Sequence, residues 1–175
     1  MQKGVTLWFT GLSGAGKTTV CLEVGRLLKL RGLKVELLDG DKMREQLNAG
    51  LGFSKDDRRK NVATAAYVAR LLTRNGVIVL ASFVSPYKSM RESARASIGS
   101  FAEVYVRCPL EECARRDVKG LYKKAFSGEI QHFTGVSDPF EDPEFPELVL
   151  YTDQETINQS AARVMEYLKT NGFIG

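Results

Sequence analysis

The sequence predicts a single α/β domain in which a mostly parallel five-stranded sheet lies between two layers of helices, and three observations predict it. Strand-like and helix-like segments alternate along most of the chain, an order that favours parallel strands joined by right-handed crossovers. A glycine-rich loop stands between the first strand and the first helix. The length of 175 residues, with 43% hydrophobic and 26% charged, suits one continuous core and needs no second domain, so residues 1–175 are taken as one unit.

The elements follow in order. Val5 to Thr10 is rich in β-branched and aromatic residues and breaks at Gly11, which marks a first strand. After Lys17 the apolar residues Val20, Val24, Leu27 and Leu28 recur at helical spacing until Gly32 stops the pattern. Val35 to Leu38 reads as a second strand ending at Asp39, and a long helix from about Asp56 to Arg74 precedes a third strand, Val77 to Ala81. Tyr87 to Ile98 is helical, Val104 to Val106 a fourth strand, and Leu110 to about Asp117 a helix opened by Cys108-Pro109. Lys119 to Pro146 breaks the rhythm, with three of the five prolines and no sustained period; a loop of that length in a compact domain suggests a functional lid, here about 115–146. Leu148 to Leu150 is a last short strand. Thr152 with Glu155 predicts a capping box for a final helix whose buried face is Ile157, Ala161, Val164, Met165 and Leu168.

Composition narrows the classes of function. No charged leader with a long apolar stretch and cleavage site opens the chain, and no apolar run is long enough to cross a bilayer, so no membrane partner is expected. Cys21, Cys108 and Cys113 form no paired framework and no zinc spacing, which fits reduced thiols in a cytoplasmic protein. The net charge of +4 and pI near 9.0 fit a polyanionic small substrate if the basic residues converge on one cleft. No nucleic-acid motif accompanies the charge, so no nucleic-acid partner is expected.

Gly11-Leu12-Ser13-Gly14-Ala15-Gly16-Lys17-Thr18 has the spacing G-x4-G-K-T between a strand and a helix, with Thr19 following. Backbone N–H groups in such a loop curl around phosphate oxygens, the helix N-terminus adds its positive end, and Lys17 supplies a full charge. Thr18 can place its hydroxyl on Mg2+. The loop makes the fold a three-layer sandwich of the P-loop NTPase type, with ATP as phosphoryl donor. Ligands then belong at the carboxyl ends of the strands.

A regulatory GTPase would need Asn-Lys-x-Asp, which is absent, and Asp117-Val118-Lys119-Gly120 matches D-x-x-G only by accident after a helix. A motor or helicase would need a coupling domain for which there is no room. A small-molecule kinase fits. Asp39-Gly40-Asp41 closes the second strand with two carboxylates where the phosphates should lie, so that Asp41 can take the acceptor's proton while Asp39 helps hold the magnesium shell. The same triplet also reads as a turn that caps a helix starting near Lys42-Met43-Arg44. His132, the one histidine, is read as a solvated loop residue; Arg115 and Arg116 are expected to reach the ATP adenine or phosphates.

Several long motifs together resemble the adenylylsulfate kinases of sulfate assimilation. Leu7 to Thr18 is similar to the family's opening, and Leu38-Asp39-Gly40-Asp41 with Arg44 to its next motif. Leu51-Gly52-Phe53-Ser54 with Asp57-Arg58 and Asn61 resembles its substrate segment, and Phe83-Val84-Ser85-Pro86-Tyr87 its serine-proline motif. Asp117 to Ala125, and Phe133-Thr134-Gly135-Val136 with Asp138-Pro139, resemble its lid. The resemblance implies phosphorylation of the 3′-hydroxyl of adenylylsulfate (APS) by ATP with magnesium, giving 3′-phosphoadenylylsulfate, usually in a homodimer. Under that implication Phe53 and Phe133 flank the adenine, and Arg44, Arg58 and Lys119 bind the phosphosulfate, with Asn61 orienting it. Asp39, Asp41, Val84, Ser85 and Leu121 complete the acceptor pocket. Some members are described as passing through a phosphoserine at the position of Ser85; direct in-line transfer needs none. After Asn61 the family usually carries two arginines where this chain has Ala63 and Thr64, and Lys60 stands where an acidic residue is common, so a salt-bridge network or dimer contact built there is not expected.

Overall fold

The computed structural model describes residues 2–175. Five strands form one sheet: β1 (Val5–Thr10), β2 (Val35–Asp39), β3 (Ile78–Ser82), β4 (Phe101–Arg107) and β5 (Leu148–Tyr151). Their order is β2-β3-β1-β4-β5 and every pairing is parallel, so the sheet is wholly parallel rather than mostly so. Among the described residues six helices lie between the strands, α1 (Lys17–Leu30), α2 (Gly40–Gln46), α3 (Lys55–Arg74), α4 (Lys88–Ile98), α5 (Leu110–Arg116) and α6 (Leu121–Phe126), and α7 (Ile157–Thr170) follows β5.

Strand alternation divides the core in two. Val5, Leu7 and Phe9 of β1 point into a cluster closed by α1 and α7, with Val20, Val24, Leu28, Ala161, Val164 and Leu168. Trp8 points the other way, onto Val79, Ala81 and Phe83 and beneath Ala65, Ala69, Met90 and Ala94 of α3 and α4. The Trp8 ring has no exposed surface and stacks on Phe83 at 4.9 Å. Both faces of the sheet are therefore covered, as all-parallel sheets require.

Because β3 and β4 flank β1, the chain crosses β1 on its way from one to the other. The crevice that this leaves at the carboxyl end of β1 is where an open α/β sheet takes its ligand, and the glycine-rich loop follows β1 there. No helix among the described residues is long and apolar enough to cross a membrane.

Three expectations are corrected. Residues 119–146 are not free of regular structure, since they contain α6; with six residues it is too short to show a period. The capping box is Thr156 with Gln159, not Thr152 with Glu155. Glu155 instead accepts from Ser160 Oγ at 2.8 Å and pairs with Arg163. Ile157, expected in the buried face of α7, is 49% exposed, because a residue at the first helical position lies before the face has turned onto the sheet.

Candidate active site

The loop of residues 11–16 leaves β1 at a close approach to β4: a Cβ on Gly11, at φ 152°, would stand 2.4 Å from the Val106 carbonyl oxygen. Gly16, at φ 98°, forms the N-cap of α1 in a left-handed conformation that costs glycine nothing. Lys17 opens α1, is 8% exposed, and donates from Nζ to the carbonyls of Gly11 (3.0 Å) and Leu12 (2.7 Å). Burial lowers its pKa from 10.5 to about 8. An ammonium held in this way gains a great deal from an arriving polyphosphate.

Thr18 Oγ1 donates to Asp39 Oδ2 at 2.9 Å and lies 3.1 Å from Ser82 Oγ. The register explains the meeting, since Asp39 and Ser82 are paired residues at the carboxyl ends of β2 and β3. Ser82 was not anticipated; its signal was its place at a strand end beside the aspartate. Asp39 is also the N-cap of α2, accepting from Asp41 N (3.0 Å) and Lys42 N (3.3 Å), so its capping and site positions coincide. The hydroxyls of Thr18 and Ser82 with one carboxylate are hard oxygen donors and fit Mg2+. Among the described residues no cluster of three carboxylate, histidine or cysteine side chains offers another metal site.

Asp41 sits exposed in the first turn of α2 and pairs with Lys119 from the segment between α5 and α6. Arg44, one turn later, donates to Gly52 O at 2.5 Å, and its guanidinium lies 4.5 Å from the centre of the Phe53 ring. Arg58 stands on the same ring at 5.4 Å and donates to Phe53 O (3.0 Å) and His132 O (2.9 Å). Arg58 is thus buried rather than solvated. Neither arginine has a carboxylate partner among the described residues, and both have guanidinium pKa values depressed first by burial, that of Arg58 next by Arg44. Asp41 and Asp57 act on Arg44 and Asp138 on Arg58 only from beyond salt-bridge distance, so the two partly desolvated cations keep their N–H donors available to an anion.

Asn61 accepts from Asn48 Nδ2 at 2.8 Å and reaches Gly40 O at 3.4 Å, which ties α3 to the turn carrying the aspartates. Thr64, where the related family usually has an arginine, bonds to Asn48 Oδ1 (3.3 Å) and Lys60 O (3.1 Å), a local contact in place of an ionic one. Val84 O accepts from Thr10 Oγ1 at 2.7 Å. Ser85 has φ 38° and is buried; its hydroxyl accepts from Trp8 Nε1 and lies against Thr10 Oγ1, each at 3.0 Å. In this arrangement the hydroxyl is turned into the protein and not toward a reacting phosphate.

Phe133 packs edge-on against Tyr122 with ring centres 4.9 Å apart and is 9% exposed, whereas Phe53 is 47% exposed. Leu121 packs at the margin of the same apolar cluster. Arg116 donates to Thr152 O (2.7 Å) and to Gly14 O (3.4 Å), and so braces the loop from behind. Arg115 is held away from it by Glu112 at 2.7 Å, with its side chain 73% exposed. His132, at φ 57°, lies exposed beside Asp138. Thr19 lies exposed in the first turn of α1.

A phosphate-cradling loop at the switch point of a parallel sheet, together with an exposed carboxylate and two arginines outside any salt bridge among the described residues, defines a P-loop kinase of a small anionic acceptor. The family model for adenylylsulphate kinase matches residues 3–151, and the chain belongs to that family. An adenylyl-sulfate kinase of Halothermothrix orenii is 58% identical over 99% of this chain and 94% of its own length. One from Synechococcus sp. (strain JA-2-3B'a(2-13)) is 54% identical over 99% of each chain. The structure of the Mycobacterium tuberculosis APS kinase in complex with AMPPNP and APS superposes with a TM-score of 0.92 at 43% identity, covering 97% of this chain and 99% of the other.

Proposed function

We propose that the chain transfers the terminal phosphoryl group of ATP to the 3′-hydroxyl of adenylylsulfate, releasing ADP and 3′-phosphoadenylylsulfate. The observation that carries the reading is the pair Arg44 and Arg58 beside the Phe53 ring, neither in a salt bridge among the described residues, with Asp41 one turn before Arg44. A nucleotide with an anionic 5′ group offers a flat base to the ring and charge to the guanidiniums. One such contact at about 4 Å is worth roughly 4 kcal/mol at an effective dielectric near 20, before desolvation.

Asp41 accepts the proton of the ribose hydroxyl as its oxygen attacks the terminal phosphorus in line with the departing ADP oxygen. Loop amides and Lys17 hold the charge that spreads over the phosphoryl oxygens, so the work is positioning and electrostatic. Thr18 and Asp39 would hold Mg2+, which neutralises phosphate charge when bound. Asp41 can act as base only after Lys119 has left it, and the phosphosulfate is an anion suited to draw Lys119 away. Residues 115–146 act as the lid.

The buried, unpaired thiols of Cys21, Cys108 and Cys113 support a reducing, cytoplasmic setting, and the family resemblance supports a homodimer. ATP consumption measured with APS, AMP and adenosine as alternative acceptors tests the reading. Turnover with APS far above the other two is expected; equal turnover with AMP would sink it.

A further inference from the structure

Five consecutive carbonyls of the phosphate loop are occupied by side chains. Gly11 and Leu12 accept from Lys17, Ser13 accepts from Tyr122 Oη at 2.7 Å, Gly14 from Arg116 at 3.4 Å, and Ala15 from Thr152 Oγ1 at 2.6 Å. A trans peptide points its C=O and the following N–H in opposite directions. By holding the Ser13 oxygen, Tyr122 therefore aims the N–H of Gly14 the opposite way, while the Ala15 N–H is taken by Leu12 O at 3.2 Å. Lys17 can leave for the phosphates when nucleotide arrives. The other donors come from outside the loop.

Arg116 and Tyr122 both come from residues 115–146, and of the two it is Tyr122 whose side chain packs against a residue assigned to the acceptor pocket. Asp117, at the strained φ of 29°, accepts from Tyr122 N (2.9 Å) and Lys123 N (3.1 Å), which fixes the start of α6. Lys119 within the same turn reaches Asp41, and the Tyr122 ring meets Phe133 edge-on. Burial raises the phenol pKa well above its ordinary value, which keeps it a donor at every working pH.

We propose that Tyr122 is a positioning residue that couples the two substrates: an acceptor settling against Phe133 and releasing Lys119 from Asp41 sets the Tyr122 ring, and its hydroxyl passes that setting to the Gly14 amide that cradles phosphate. The proposal rests on the APS kinase reading. It predicts that acceptor and donor bind cooperatively through one hydroxyl.

Tyr122→Phe keeps the ring and removes only that hydroxyl. The experiment titrates a non-hydrolysable ATP analogue into wild type and variant by calorimetry, with and without saturating APS, and records kcat and KM for both substrates. Wild type is expected to bind the analogue at least about fivefold more tightly when APS is present. In the variant this factor should fall close to one, with KM for ATP raised about tenfold and, because the coupling is reciprocal, KM for APS at saturating ATP raised about fivefold. Phe133→Leu, which loosens the ring contact from the other side, should lower the same factor without altering analogue affinity in the absence of APS, and it serves if Tyr122→Phe does not fold. No cooperativity in wild type, or an unchanged factor in the variants, overturns the proposal while leaving the kinase reading intact. A wild-type protein that does not turn over APS overturns both.

Discussion

Asp41 and Lys17 are the two residues on which the proposed transfer rests, and each can be tested separately from folding. Asp41 is exposed and caps nothing with its side chain, so Asp41→Asn should leave the melting temperature and ATP affinity nearly unchanged while kcat falls about 100- to 10,000-fold. Unchanged turnover in a steady-state assay would remove it from the mechanism. Phe53 is more than two-fifths exposed and carries no core packing, so Phe53→Ala should raise KM for APS about 5- to 100-fold, the worth of one stacked base, with KM for ATP unmoved. Lys17 supplies a pH signature. Its folded pKa of about 8 lies below its ordinary 10.5, so between those values the unfolded chain holds more protons, and this group alone makes the nucleotide-free protein gain stability as pH rises through that window. Bound triphosphate favours the ammonium and raises the pKa again. Calorimetry near about pH 8.5 in buffers of different ionisation enthalpy should therefore show net proton uptake on ATP binding, lost in Lys17→Met; no buffer dependence in wild type would contradict it.

At the scale of elements, periodicity and punctuation revealed most of the frame. β1, α1, β2, α3 and α7 lie within a residue or two of their predicted bounds, except at the start of α7, because each has a long apolar face or a glycine, proline or cap at its end. Short helices were the hard cases. α6 is held by Asp117 below and Phe133 above, and neither contact leaves a period in six residues. α2 was foreseen only as an alternative to a catalytic turn, and the helix is present with Asp39 as its cap. Among candidate site residues, Gly11 to Thr18, Asp39 and Asp41 could be singled out from spacing alone, whereas Ser82, Tyr122 and Thr152 hydrogen-bond to partners distant in sequence and could not be. Arg91 is another such residue. From α4 it pairs with Glu103 at 2.7 Å and donates to Ser85 O (2.8 Å) and Glu141 O (2.6 Å), so one buried guanidinium joins β4, the serine turn and the segment before β5. Arg91→Ala should cost about 3–5 kcal/mol by urea denaturation, since it strands Glu103 and two carbonyls; a loss near zero would show that water replaces it.

For the whole molecule, the wholly parallel sheet explains why the site and the core do not compete. Both faces are sealed by helices, and the polar groups gather at one edge where the loops leave. Exposed cations such as Arg70, Arg74 and Arg107 are solvated and Arg26, Arg59, Arg95, Arg115 and Arg163 are matched by acids, whereas Arg44 and Arg58 are partly desolvated beside Phe53 with no salt bridge among the described residues. KM for APS should accordingly rise with ionic strength between about 0.01 and 0.5 M, more steeply than the denaturation midpoint moves. A flat dependence would argue against charge as the main term in acceptor recognition.

The sole tryptophan is sealed in the interior, yet its indole nitrogen touches the very turn on which the acceptor would rest. Nature has thereby wired a single emitter into the protein. Any tightening of that bend should alter the colour or brightness of its ultraviolet glow, and occupancy can be watched in real time without attaching a dye.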